Sequence, residues 1–312
     1  MIENSLAPEL NRDQAFSAGE SQGKSGSFFF FCHDKNFIIK TMNEDELKAF
    51  NRMFERYFRH LSEHPNSLLA RIYGVFTVKI EKLKPVHLIL MGNSMHIDDT
   101  KSIEHVFDLK GSIANREVQG KNLKNTSTLK DLNLLKLCQE KNLLKFNTED
   151  RKAILDIMAQ DVDLLAEANI MDYSLLFCIQ RNPNFKGAGT SASSNHEDQP
   201  LIDHRSHGGS VKQTGLPASS VSSGKGKDAM LDFVKTRHSF ISSQGRYIYH
   251  LGVIDYLQDY NCDKKVEHYF KTVIKGKKAE ISAVPPRPYK NRYLTFMSSK
   301  VLLDEYKKGK TN

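Results

Sequence analysis

From about residue 181 to residue 237 the chain turns to Ser, Gly, Asn and His, as in Gly187-Ala188-Gly189-Thr190-Ser191-Ala192-Ser193-Ser194, with few large apolar side chains. Such a segment cannot bury enough surface to offset the entropy lost on ordering, which predicts a disordered insertion. Strand-like sequence resumes at Arg246-Tyr247-Ile248-Tyr249-His250-Leu251, so the insertion interrupts a folded unit instead of ending one. It also accounts for a lean composition, 39% hydrophobic and 26% charged over 312 residues. What remains suits one large domain or two small lobes.

The longest apolar runs, such as Phe28-Phe29-Phe30-Phe31-Cys32, fall far short of the roughly 20 residues of a membrane-spanning helix. The N-terminus lacks a signal peptide's apolar core, so a soluble chain is expected. Cys32, Cys138, Cys178 and Cys262 are widely spaced with no C-x-x-C pair. Neither a zinc site nor a disulfide framework is indicated, and reduced cytoplasmic thiols are the default expectation. The net charge of +8 asks for an anionic partner: nucleic acid, nucleotide or a phospholipid surface.

Residues 1–22 show no sustained period, and Gly23-Lys24-Ser25-Gly26-Ser27 then reads as a tight turn between strands. Asn36-Phe37-Ile38-Ile39-Lys40-Thr41 has strand composition and ends near a lysine. From Glu44 to Leu61, the positions Leu47, Phe50, Phe54, Phe58 and Leu61 recur at three and four, predicting one buried helical face. Strands are expected at Arg71 to Glu81 and Val86 to Met91, divided by a turn at Lys82-Leu83-Lys84-Pro85. Helices are expected over Leu129 to Leu144 and Asp150 to Ala168, the latter capped by Thr148 and ended by a left-handed Asn169. Ile170 to Ile179 reads as one extended block.

Ala18-Gly19-Glu20-Ser21-Gln22-Gly23-Lys24-Ser25 fits a relaxed Walker A spacing. A true P-loop follows a buried strand and opens a helix, so that the helix N-terminus meets the phosphates. Here strand material follows, and a glycine loop between antiparallel strands is the better reading. Such a loop covers a nucleotide when a lysine from the next strand reaches the phosphates, as in protein kinases. Lys40 stands there, and Glu46 lies in the first turns of the next helix, where a carboxylate can hold the ammonium. Alone, each would be a solvated charge.

The catalytic-loop H-R-D and metal-binding D-F-G of protein kinases are absent. In their place stand Asp108-Leu109-Lys110-Gly111-Ser112, Ile170-Met171-Asp172-Tyr173-Ser174-Leu175-Leu176 and Gly252-Val253-Ile254-Asp255. Together these resemble the phosphatidylinositol phosphate kinase family, whose catalytic domains carry D-L-K-G-S, M-D-Y-S-L-L and I-I-D blocks in this order. The similarity extends to Ser25-Gly26-Ser27-Phe28-Phe29, to Phe37 through Thr41, to Ser67-Leu68-Leu69 through Tyr73-Gly74, and to Lys264 through Met297.

The resemblance implies an α+β, two-lobed kinase-like fold, with antiparallel sheet and helices in each lobe. Residues 1–100 would form the N-terminal lobe and 101–312 the C-terminal lobe, with an activation loop at about 256–284. It implies ATP and Mg²⁺ as cofactors. Gly23, Ser25, Gly26 and Ser27 would form the nucleotide loop, Lys40 would bind ATP phosphates, and Glu46 would be its partner. Asp172 resembles the catalytic aspartate, Asp255 the metal-binding aspartate, and Lys110 a cation at the transferring phosphoryl group. Arg116 follows where the family often has an arginine, and is expected at the substrate. Phosphoryl transfer needs these types because catalysis is mostly positioning and spreading of negative charge.

Lys264, Lys265 and Glu267 fall in the segment that, in this family, contacts membrane and selects lipid. The glutamate resembles type I enzymes, which phosphorylate the 5-hydroxyl of phosphatidylinositol 4-phosphate. Type II enzymes, 4-kinases of the 5-phosphate lipid, usually have alanine there, and type III enzymes can also carry Lys-Lys-x-Glu. The implied setting is the cytoplasmic face of the plasma membrane, on anionic lipid. A weakly active phosphoinositide-binding scaffold is the alternative outside catalysis, and no motif supports nucleic acid. The match begins almost at the N-terminus, so little is present of the segment that contributes to dimerisation in larger members, and a homodimer or a regulatory protein partner stays open. Residues 261–312 hold 13 Lys+Arg against 5 Asp+Glu, and the rest of the chain holds 32 of each sign. The whole basic excess therefore lies where membrane contact is expected.

Overall fold

The computed structural model describes residues 2–18, 27–120, 127–141, 144–185, 238–260 and 284–304. The chain adopts the expected α+β architecture. Strands β1 (Phe29–Phe31), β2 (Phe37–Met42), β3 (Ile72–Val78) and β4 (Val86–Gly92) form an antiparallel sheet in the order β1-β2-β4-β3. A second sheet has the order β6-β5-β8-β10-β9, from β5 (Ile103–Leu109), β6 (Thr128–Leu129), β8 (Ser174–Arg181), β9 (Ser239–Ile241) and β10 (Tyr247–Ile254). It is antiparallel except for the short parallel pair β5 and β6. Two further short strands, β7 (Ile170–Met171) and β11 (Gln258–Asp259), pair with each other. One apolar core runs through both halves, from Phe50 and Ile89 to Phe107, Phe177 and Tyr293.

Several expectations need correcting. The N-terminal residues form helices α1 (Ile2–Ser5) and α2 (Pro8–Ala18), so the last described element before the glycine loop is a helix and not a strand. Part of their hold is polar, which periodicity does not reveal. The buried Asn11 amide donates to the Ser5 and Ala7 carbonyls and accepts from the His33 amide.

Helix α3 (Glu44–Glu63) starts at Asn43, whose side chain accepts from the Glu46 amide while Glu46 Oε2 accepts from the Asn43 amide. This reciprocal pairing satisfies two amides that have no partner within the helix. The buried face is Ala49, Phe50, Met53, Tyr57, His60 and Leu61, while Phe54 and Phe58 are 49% and 66% exposed. Each step of four residues overshoots a full helical turn by about 40°, so a run of such steps walks off the core. His60 replaces them because its ring meets the fully buried Asp161 at 2.7 Å.

Helices α4 (Asp131–Lys141), α5 (Thr148–Glu167) and α6 (Pro286–Phe296) pack around the second sheet. Asn147, one residue earlier than expected, caps α5 by accepting from the Asp150 amide. Asn169 is left-handed as expected, at φ 61°. The block from Ile170 to Ile179 is broken at Asp172, also left-handed at φ 64°. Arg181 belongs to β8, and β9 precedes the expected resumption at Arg246. The low-complexity segment from 186 to 237 lies outside the described residues, as does most of the expected activation loop, 261–283.

One short segment joins the two sheets. The Ala70 amide donates to the Val253 carbonyl at 2.9 Å, and the Val253 amide donates to the Leu68 carbonyl at 2.7 Å. The Leu68 amide donates to Asp161, which also holds His60 of α3. Gly252 is needed here because a Cβ would sit 2.7 Å from the Ser94 side chain. Strand β10 and helix α3 are thereby fixed to one crossing.

Candidate active site

Strand order alone brings three of the sequence candidates to one end of the second sheet. Leu109 pairs with Leu175 and Ser174 pairs with Ile254 on adjacent strands. Lys110, Asp172 and Asp255 emerge from these strand ends. Lys110 Nζ lies 2.8 Å from Asp172 Oδ2. The loops carrying the acids are tied again by Gln258 opposite Met171 and Asp259 opposite Ile170. Asp255 is left-handed like Asp172, with φ 58°. Two left-handed aspartates flanking one cleft are uncommon, and backbone strain of this kind concentrates at functional sites.

The first sheet supplies the opposite wall. Lys40 on β2 is buried, with Nζ 3.0 Å from Glu46 Oε1. Glu46 thus divides its carboxylate, one oxygen for the Asn43 amide and one for Lys40. The start of α3 and the orientation of Lys40 are set by the same side chain. Between the walls lies a cavity of about 560 Å³, lined by Lys40, Glu46, Asp108, Lys110, Asp172 and Asp255 and by the apolar Ile38, Ile72, Ile89 and Met91. Its volume suits a nucleotide-sized ligand.

Asp255 opens onto this cavity. Desolvation by the surrounding protein raises its pKa, Lys40 and Lys110 pull it down, and Asp108 and Asp172 push it up again. Carboxylates crowded in this way carry more negative charge than the lysines offset. Mg²⁺ usually takes one or two carboxylates and completes its octahedron with water and phosphate oxygens. The carboxylates lining the cavity therefore fit such an ion chemically. Among the described residues no group of three His, Cys, Asp or Glu forms a denser cage.

Arg116 departs from expectation. Its guanidinium is nearly buried, with Nε 2.7 Å from Asp131 Oδ2 and a terminal nitrogen 3.0 Å from Asp108 Oδ1. It also donates to the Asp108 carbonyl. These partners commit the charge internally, so Arg116 shapes the Asp108–Ser112 loop instead of facing a substrate. Asp131, at the start of α4, was not foreseen. It is fully buried and its Oδ1 accepts from the Lys110 and Gly111 amides at 3.0 and 2.9 Å. Its only sequence signal was an acid in the first turn of a helix, which ordinarily reads as a cap.

Helix α6 supports the same two loops. Tyr173, Tyr289 and Tyr293 are fully buried against one another, and the Tyr289 hydroxyl donates to the Tyr173 carbonyl at 2.5 Å. Gly111, at φ 67°, rests so close to α6 that a Cβ would lie 2.9 Å from the Tyr293 Cα. Tyr256 follows Asp255 and is buried, donating to the Ala70 carbonyl, which Tyr57 of α3 also reaches at 3.1 Å. Gly23, Ser25, Gly26, Lys264, Lys265 and Glu267 lie outside the described residues, and Ser27 is the first described residue after the glycine loop.

A profile of the family described as phosphatidylinositol-4-phosphate 5-kinase matches residues 10–300. The chain belongs to this family. A probable phosphatidylinositol phosphate kinase of Dictyostelium discoideum is 33% identical over 314 residues, covering 93% of this chain and 43% of that protein. A phosphatidylinositol 4-phosphate 5-kinase of Schizosaccharomyces pombe is 30% identical over 311 residues, covering 90% and 41%. A phosphatidylinositol 5-phosphate 4-kinase type-2 beta of Rattus norvegicus is 29% identical over 291 residues, covering 90% and 68%. The chain thus spans less than half of the first two proteins, and the names of its relatives divide between 5-kinases and 4-kinases.

Proposed function

We propose that this chain is a lipid kinase that transfers the γ-phosphoryl group of ATP to the 5-hydroxyl of phosphatidylinositol 4-phosphate. The observation that carries this reading is the convergence of Lys40–Glu46 and Lys110–Asp172, with Asp255, on one cavity. In this reading the first sheet belongs to the ATP-binding N-terminal lobe and the second to the catalytic C-terminal lobe. Lys40, held by Glu46, binds the ATP phosphates. Asp255 would hold Mg²⁺, which when bound neutralises charge on the phosphate oxygens. Asp172 orients the inositol hydroxyl and accepts its proton. Lys110, with Nζ 2.8 Å from Asp172 Oδ2, orients that carboxylate and lies where it can offset charge on the moving phosphoryl group. No covalent intermediate on the protein is required.

The preference for the 5-hydroxyl rests on Glu267 after the Lys264-Lys265 pair, a type I feature. The basic excess in residues 261–312 supports work at an anionic surface, and the setting proposed with it is peripheral, at the cytoplasmic face of the plasma membrane. Incubation with Mg-ATP and separate vesicles of the three phosphatidylinositol monophosphates, followed by regiochemical analysis, tests it. Phosphatidylinositol 4,5-bisphosphate from the 4-phosphate lipid is expected. Product from the 5-phosphate lipid alone would make it a 4-kinase, and binding without product would make it a scaffold.

A further inference from the structure

Residues 76–86, the tip of the hairpin formed by β3 and β4, are all exposed, and five of them are large and apolar. Phe76, Val78, Ile80, Leu83 and Val86 are between 41% and 65% exposed. Phe76 pairs with Leu88 and Val78 with Val86, so these four share the sheet face that also carries Leu90. Around Leu90 that face is covered by Ile2 and Leu6, Leu88 is half-buried, and farther along Phe76, Val78 and Val86 are exposed among the described residues. Lys79, Lys82 and Lys84 are interleaved with the apolar residues, with Glu81 the one acid from 76 to 86.

We infer that this hairpin is a second membrane-docking element, separate from the expected activation loop, that inserts its apolar tip into an anionic lipid surface. Apolar side chains with adjacent lysines match the boundary between acyl chains and anionic headgroups. Lysines on an edge strand also deter pairing with other sheets, but that device removes exposed apolar surface, and here the two occur together. A second copy fits less well, because a symmetric contact would bring both sets of lysines face to face. Lys40 is opposite Ile89, three residues from the start of β4 at Val86, so the strand carries the hairpin tip roughly 10 Å away from the phosphate-binding lysine before the turn begins. The inference rests on the lipid-kinase reading for its biological sense and not for its test.

The chain contains no tryptophan, so Leu83→Trp creates a reporter confined to the hairpin tip. Its emission is expected to shift to the blue with phosphatidylcholine vesicles containing phosphatidylserine, and far less with phosphatidylcholine alone. Replacing Lys79, Lys82 and Lys84 together with Ala should weaken co-sedimentation about 100-fold, since each lysine near an anionic surface contributes about fivefold. The thermal midpoint should be unchanged, because all three are exposed. Sedimentation with vesicles but no blue shift would overturn the inference, as would a shift that follows protein concentration without lipid. Turnover of a dispersed short-chain phosphatidylinositol 4-phosphate is measured in parallel. Its absence would refute the kinase reading while leaving the hairpin result to stand or fall by fluorescence.

Discussion

Asp131→Asn removes one charge from the cluster that shapes the Lys110 loop. Asp131 is fully buried and the Arg116 side chain is 11% exposed, so water cannot replace the lost partner. Breaking a buried ion pair from one side costs about 3–5 kcal/mol. The lower end is expected, because Arg116 keeps Asp108 at 3.0 Å and an Asn oxygen can still accept from the Lys110 and Gly111 amides. The Asn amide, however, would point a donor at Arg116 Nε. A loss of about 3 kcal/mol should lower the urea midpoint by roughly 1 M, for a slope near 3 kcal/mol/M. Arg116→Met in the same background isolates the pair. If the two side chains stabilise each other, Asp131→Asn should cost at least about 1 kcal/mol less in that background. Turnover should fall with stability held constant by low temperature, because Lys110 is carried by the two amides that Asp131 anchors. A loss below about 1 kcal/mol, or strict additivity with Arg116→Met, would refute the account of the loop.

Asp172→Asn keeps a residue type tolerant of the left-handed backbone and should lower turnover by about 10² to 10⁴-fold with an unchanged unfolding midpoint; near-normal turnover with radiolabelled ATP would remove the proposed role. Asp255 has a folded pKa above its unfolded value, so the native state keeps a proton that the unfolded chain has already lost. Stability contributed by this group therefore falls as pH rises from about 4 through its raised folded pKa. Asp255→Asn should abolish that part of the pH dependence in urea titrations, raise stability at neutral pH without Mg-ATP, and eliminate turnover. Changing both Lys264 and Lys265 to Glu should abolish binding to anionic vesicles and lipid phosphorylation while ATP affinity stays nearly intact, and unchanged sedimentation would count against their membrane role.

Much of the site was legible because its signals are short. Lys40 and Glu46 are six residues apart, and a strand followed directly by a capped helix leaves few ways to arrange them. Asp172 and Asp255 were legible as residues within blocks, and their left-handed backbones follow from chain reversals that an aspartate tolerates. What was missed involves side chains that act across the chain. Arg116 looked like a cation for substrate, and only the arrival of Asp131 and Asp108 at its guanidinium gave it an internal task. Phe54 and Phe58 matched a helical stripe by spacing, yet which arc of α3 is buried depends on where α5 places Asp161 for His60.

Taken alone, the amino-acid sequence determined the chemistry on offer: two lysines, two aspartates and a basic C-terminal stretch, in an order shared with one kinase family. It also determined most helices and strands, because propensity, capping and periodicity act over a few residues. The tertiary structure decided which charges are spent on each other and which are left for a ligand. Strand order in the second sheet brings Lys110, Asp172 and Asp255 to one end, and the crossing from Leu68 to Ala70 sets Lys40 opposite them. Those contacts join residues up to 185 positions apart, Leu68 and Val253. Their energies come from burial and pairing, which exist only once the chain has closed on itself.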